Sequence, residues 1–181
     1  MKTWVTDRIS NVKPAEFFSL VDKNRAYITP TFPNTTSQCN SLVNTTAFLI
    51  RAANNEQRGE NYYFYLRDVS SNRLIGYICV KNIILNIMKA ELAYFIDADY
   101  QNKGIITQAV SQVVTYCFDA LGFNKLYICT HPENIGSQRV AVKNGFTKEG
   151  ILKEEFKNAD GGLEDVVYFG LLRSEYNNQS I

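Results

Sequence analysis

The segment Tyr100-Gln101-Asn102-Lys103-Gly104-Ile105-Ile106-Thr107 constrains the fold more than any other part of the chain. It follows an apolar run, Leu92-Ala93-Tyr94-Phe95-Ile96, and leads into a helical pattern that begins near Ile105. A strand, a short polar loop with one glycine and a helix start together form an anion cradle. Backbone N–H groups in such a loop point the same way, and the helix dipole adds partial positive charge. Glycine lets the backbone approach a ligand with no Cβ in between. The spacing Gln-x-x-Gly-x-Ile-x-Thr is neither that of a P-loop nor that of the dinucleotide fingerprint.

A chain of 181 residues is long enough for one core, and a single domain over 1–181 is expected. The net charge of +1 gives no general reason to expect nucleic acid or an anionic membrane as partner. No run approaches the roughly 18 apolar residues of a membrane helix. Met1–Arg8 lacks the apolar stretch of a secretory leader, and the protein is expected in the cytoplasm. Cys39, Cys79, Cys117 and Cys129 show no C-x-x-C spacing, and His131 is the single histidine. Buried reduced thiols are expected, and no metal site.

Pro14–Asp22 reads as a first helix with Phe17, Leu20 and Val21 on one face. Ser37 reads as the N-cap of a second, running to about Asn54 with Val43, Ala47 and Ile50 inward. Tyr62–Arg67 and Leu74–Lys81 read as a hairpin, and Lys89–Ile96 as a third strand. Ile105–Leu121 is the clearest helix, with Ala109, Val110, Val113, Val114, Cys117 and Leu121 in helical spacing and Gly122 at its end. Lys125–Thr130 reads as a buried strand and Ser137–Asn144 as a short helix. Phe146–Phe156 and Glu164–Leu172 read as a closing strand pair. This order gives a mixed α/β (α+β) sheet flanked by helices.

The loop Gln101–Thr107 resembles the pyrophosphate-binding loop of the GCN5-related N-acetyltransferases (GNAT superfamily). A second segment resembles the RimJ/RimL branch of that family: Asn134-Ile135-Gly136-Ser137, then Val140-Ala141, Gly145-Phe146 and Glu149-Gly150. Asn24-Arg25 with Ile28, ahead of Pro33, is similar to it too. The loop departs from the commoner Gln-Gly-x-Gly form by carrying Asn102, a residue that tolerates the left-handed conformation. The resemblance implies a mixed, mostly antiparallel sheet in which two parallel strands splay, here Lys89–Ile96 and Lys125–Thr130. It also implies acetyl-CoA as cosubstrate. The backbone N–H groups of Asn102, Lys103, Gly104, Ile105 and Ile106 would bind the diphosphate, with help from Thr107 and Gln101. Asn134 would bond the pantetheine arm, and backbone near Phe95 or Ile96 would polarise the thioester carbonyl.

Ser137 is both a good N-cap and, by the resemblance, the proton donor to the departing thiolate. Position 141, where many members carry a tyrosine for that task, is Ala141. Glu91, Glu155 and His131 are the candidates for general base, beside a water-mediated route. The branch implies a protein N-terminal amine as acceptor, such as that of a ribosomal protein. A polyamine, an aminoglycoside or a non-catalytic acyl-CoA-binding module are the alternatives, and a homodimer is compatible with the family.

Overall fold

The computed structural model describes residues 3–179. Met1 and Lys2, part of the segment read above for a leader, lie outside them. The strands are β1 (Trp4–Asp7), β2 (Tyr62–Asp68), β3 (Leu74–Ile84), β4 (Lys89–Ile96), β5 (Lys125–Thr130), β6 (Thr147–Lys157) and β7 (Leu163–Leu172). The helices are α1 (Pro14–Ile28), α2 (Pro33–Gln38), α3 (Leu42–Gln57), α4 (Ile105–Thr115), α5 (Ile135–Lys143) and α6 (Arg173–Gln179). The sheet has seven strands in the order β1-β2-β3-β4-β5-β7-β6. It is mixed: β1–β2, β5–β7 and β6–β7 are antiparallel and β4–β5 is parallel. The chain resolves into two compact units, one taking in the chain up to Cys79 with Tyr94–Ile106, the other Val80–Ala93 with the chain from Thr107 on.

In the first unit α1 buries Phe17, Leu20, Val21, Asn24 and Ile28, a stripe at helical spacing that runs six residues beyond the expected end. Pro14 at the first helical position supplies a preset φ. Phe17 meets Tyr65 edge-on at 5.3 Å between ring centres and also packs on Tyr77, which in turn meets Phe95 at 5.6 Å. Arg67 ties the short β1 to this core. Its Nε donates to Asp7 at 2.6 Å, and its terminal nitrogens reach both carboxylate oxygens of Glu16 and the carbonyl of Asn72.

Two sequence expectations fail here. Ser37 caps nothing: Pro33 starts a separate helix, α2, and Ser37 sits inside it with its hydroxyl on the carbonyl of Asn34. The cap of α3 is Ser41, whose oxygen accepts from the N–H of Asn44 at 3.2 Å. With that start, the inward face of α3 holds Thr45, Leu49 and Ala52, whereas Val43 and Ile50 point outward at 77% and 58% exposure. Thr45 is tolerated inside because its hydroxyl donates to the carbonyl of Ser41, four residues back.

In the second unit α4 buries Ala109, Val110, Val113 and Val114, as its spacing requires. From Tyr116 to Ala120 the helix widens into a π turn, in which Leu121 N–H donates to Tyr116 O, five residues back. The wider turn changes the phase: Phe118 joins Cys117 in the core, and Leu121, expected inside, is only half-buried. Gly122 then takes φ 74° and ends the helix. Strand β5 pairs with β7 along its full length, from Lys125↔Leu172 to Thr130↔Val167.

Candidate active site

On the first unit, β4 ends at Ile96 and a 3-10 turn, Ala98–Tyr100, leads into the polar loop. Asn102 has φ 57° and Gly104 φ 73°. Two left-handed residues alternate with others, a pattern that turns successive N–H groups toward one side. Asparagine meets this demand where most residues would be strained. A Cβ placed at Gly104 would meet no protein atom within 4 Å, so the space beside Gly104 is open. Asn102, Lys103 and Gly104 are exposed. The Lys103 ammonium rests 4.9 Å from the centre of the Tyr100 ring. Phe95 and Ile96 are buried, and the Phe95 side chain packs on Phe32 and Tyr77. Only their backbone is therefore suited to a ligand. Gly76 allows the strands to close here, since a Cβ would stand 3.2 Å from the carbonyl oxygen of Phe95.

Two adjacent residues of α1, Lys23 and Asn24, hold the segment before the loop. Lys23 Nζ lies 2.8 Å from each carboxylate oxygen of Asp97 and also bonds Asp99. Asn24, 3% exposed, accepts from the N–H of Ala98 at 3.0 Å. Burial pushes the Tyr27 hydroxyl above its ordinary pKa, and the neighbouring Gln101 side chain opposes that shift. Asp97 adds a hydrogen bond from the N–H of Asp99, and its own N–H donates to Ile75 O at 2.7 Å. The carboxylates hold the Lys23 ammonium above its ordinary pKa, Asp97 contributing most and Asp99 next. Sequence reasoning noticed Asn24 only as part of a resemblance; a buried asparagine in mid-helix is the signal that could have marked it.

On the second unit, β4 and β5 are paired in parallel over Lys89↔Lys125, Ala90↔Leu126 and Glu91↔Tyr127. Among the described residues that ladder ends there, while Ile128, Cys129 and Thr130 remain paired to β7 on their other side. The flank of β5 beyond Tyr127 therefore presents backbone groups without a strand partner. After β5, Asn134 caps α5, its side-chain oxygen accepting from the N–H of Ser137 at 3.0 Å. Ser137 is thus the third helical residue and not the cap. Asn144 Nδ2 donates to Thr107 O at 3.2 Å, tying the far end of α5 to α4.

Glu91 is 8% exposed, paired with Lys81 at 3.2 Å and bonded by Asn82 Nδ2 at 2.7 Å. Both of its oxygens are thus engaged. Glu155 is exposed and lies where the β6–β7 register slips between Leu152 and Phe156. The slip is made by Glu154, at φ 54°, whose N–H donates to Asp165. His131 accepts at Nδ1 from the N–H of Glu133 and faces Glu164 at 3.8 Å through Nε2. Burial, then the charge of Glu91, pushes the Cys129 thiol up to about 12. A thiol so rarely ionised makes no acyl-accepting nucleophile. The described residues contain no cluster of His, Cys, Asp and Glu able to hold a metal ion.

The architecture, with a left-handed loop at the head of α4 and a parallel strand pair that parts after three residues, is that of an acetyltransferase fold. The chain belongs to the GNAT acetyltransferase family: residues 13–147 match its acetyltransferase (GNAT) domain. It is 36% identical over 120 residues to a Bacillus subtilis protein named "Probable N-acetyltransferase YjcK", covering 66% of each chain. It is 28% identical to the Escherichia coli ribosomal-protein-serine acetyltransferase, covering 82% of this chain and 81% of that one. It is 31% identical to the Vibrio cholerae spermidine N(1)-acetyltransferase, covering 65% and 66%. The chain thus spans just under two thirds of YjcK. Two solved structures share the fold. One is the ribosomal-protein-S5-alanine acetyltransferase of Vibrio fischeri, with a TM-score of 0.87 at 20% identity, covering 97% of this chain and 96% of that one. The other is the ribosomal L7/L12 acetyltransferase RimL with coenzyme A, with a TM-score of 0.81 at 21% identity, covering 95% of each.

Proposed function

We propose that this chain is an acetyl-CoA-dependent N-acetyltransferase that acylates a primary amine. The observation that carries the reading is the pair of left-handed residues, Asn102 and Gly104, in the open loop at the head of α4 of a GNAT-family chain. The residues present fit the cosubstrate: backbone N–H groups from Asn102 to Ile106 suit a diphosphate, with Gln101 and the Thr107 hydroxyl beside them. The unpaired flank of β5 beyond Tyr127 suits an amide-bearing arm, and the Nδ2 end of Asn134 can add a hydrogen bond to it. Acetyl-CoA supplies an already activated thioester, so the protein's task is chiefly to hold and orient.

The backbone N–H near Phe95 or Ile96 polarises the carbonyl. Ser137, relieved of capping by Asn134, donates a proton to the leaving thiolate. Glu155 takes the proton from the incoming ammonium. Glu91 ranks below it because Lys81 and Asn82 occupy its oxygens. No cysteinyl intermediate is invoked.

The preferred acceptor is a protein N-terminus, in keeping with the ribosomal-protein acetyltransferase among the relatives. The spermidine acetyltransferase among them favours a polyamine as a second reading. Thiol release from acetyl-CoA, measured against N-terminal peptides and polyamines, tests both. Release with a peptide and none with spermidine is the expected result. Absence of release with every amine tested, alongside intact CoA binding, would overturn the enzymatic reading in favour of an acyl-CoA-binding module.

A further inference from the structure

We infer that Lys23, Asn24 and Tyr27 of α1 are positioning residues that hold the anion loop in its binding conformation, an assignment that rests on the acetyl-CoA reading above. The loop cannot hold itself. Asn102, Lys103 and Gly104 are exposed, no protein atom lies within 4 Å of where a Gly104 Cβ would be, and two of the three carry positive φ. Its shape must be imposed from its two ends. The downstream end is the first turn of α4. The upstream end is Asp97–Gln101, and there α1 bonds Asp97 and Asp99 through Lys23 and Ala98 through Asn24, with Tyr27 set beside Gln101.

The spacing of the three is a property of the helix. Positions 23, 24 and 27 lie on adjoining lines of one helical face, and the segment they meet runs past that face. Asp97 is the pivot. It is 1% exposed, yet each carboxylate oxygen has a partner in Lys23, and one also accepts from the N–H of Asp99. A buried carboxylate satisfied this fully acts as a fixed point. Asn24 is buried with both ends used, its nitrogen on Leu20 O and its oxygen on Ala98 N–H.

From its opposite side α1 extends Arg25 to the carbonyls of Thr36 and Cys39, at 2.6 and 2.8 Å. The helix is therefore a rod between the segment ahead of the loop and the connection from α2 to α3. Loops pre-formed in this way bind without a further ordering cost. The Asn24-Arg25 pair noted in the sequence thus acquires a joint purpose: one residue grips toward the loop, the other away from it.

The test compares a donor that engages the loop with one that does not. S-Acetyl-pantetheine lacks the diphosphate and should be indifferent to it. Lys23→Met keeps the stem and removes the charge, and Lys23→Arg restores it. Tyr27→Phe removes one hydroxyl from a residue 49% exposed, so it leaves the fold intact even where Lys23→Met does not. Affinity for CoA, by calorimetry, should fall about tenfold in Lys23→Met and about threefold in Tyr27→Phe, the loss of one or two hydrogen bonds. Lys23→Arg should recover most of it. The loss in kcat/KM with acetyl-CoA should exceed that with S-acetyl-pantetheine in each variant. Equal loss with both donors, or unchanged CoA affinity in Tyr27→Phe, would overturn the assignment. Wild-type protein that binds no CoA would instead remove the acetyl-CoA reading, and this one with it.

Discussion

The side-chain oxygen of Asn134 accepts the N–H of Ser137 at 3.0 Å, so the residue that starts α5 and the residue suited to proton donation are different. Their substitutions should therefore separate. Asn134→Ala should cost about 1 kcal/mol, the ordinary value of a lost cap. Ser137→Ala should change stability by less than about 0.5 kcal/mol. It should lower kcat by about a hundredfold, the lower range for general acid catalysis, with CoA affinity nearly unchanged. Thermal melts beside thiol-release kinetics measure both; equal kcat in Ser137→Ala would take that serine out of the reaction.

Gly104→Ala tests the loop. Nothing in the protein obstructs the new methyl, but φ 73° is costly for any residue with a Cβ, about 1–2 kcal/mol. Melting temperature should fall by a few degrees and CoA affinity by at least about tenfold, beyond what strain at an unrelated loop gives.

Glu91 and Glu155 should part company. Glu91→Gln breaks a pair whose lysine is 40% exposed, so the loss is modest, about 1 kcal/mol, and it shows as a lowered melting temperature. Glu155→Gln touches an exposed side chain and should leave melting unchanged while lowering kcat about tenfold or more. The opposite pattern would exchange their roles.

Stability should fall in acid for a reason located at the β2–β3 turn. The hydroxyls of Ser70 and Ser71 and the N–H of Ser71 surround Asp68 and hold its pKa down to about 2, with Ser70 the largest contributor. In the unfolded chain an aspartate titrates near 3.9. The unfolded state therefore binds more protons between these values, and the stabilisation present above about pH 4 is lost as pH falls toward 2. Urea midpoints between pH 5 and 2 should drop more steeply for wild type than for Asp68→Asn.

Burial lifts the thiols of Cys117 and Cys129 to about 12. At pH 8 the thiolate fraction is then on the order of one in ten thousand, against roughly a quarter for a free cysteine. Iodoacetamide should alkylate neither in the native protein on the timescale that labels free thiol, and Cys129→Ala should release thiol from acetyl-CoA at the wild-type rate.

Where local rules decide the outcome, the sequence was a sufficient guide. β4 and β5 fall on the expected residues, and Asn102 adopts the left-handed conformation that its side chain tolerates. Where partners come from afar, it was not. β1 is four residues long and was not foreseen; its place depends on pairing with β2 and on the grip of Arg67 on Asp7. α3 misled because its inward face includes Thr45, whose polarity is absorbed by its own helix, while Val43 and Ile50 face out. Leu121 left the core because of a π turn that no spacing rule anticipates. At the candidate site the same division holds. The loop was readable, but the ranking of carboxylates needed Lys81 and Asn82, brought to Glu91 from β3.

The early end of the β4–β5 ladder at Tyr127 leaves an edge in the middle of a sheet. Interior edges are usually a hazard, since any extended amide can zip onto them. Here that same appetite marks a stretch for experiment: a short peptidomimetic shaped to lie along Ile128–Thr130 should displace coenzyme A under the reading proposed above, without resembling a nucleotide at all.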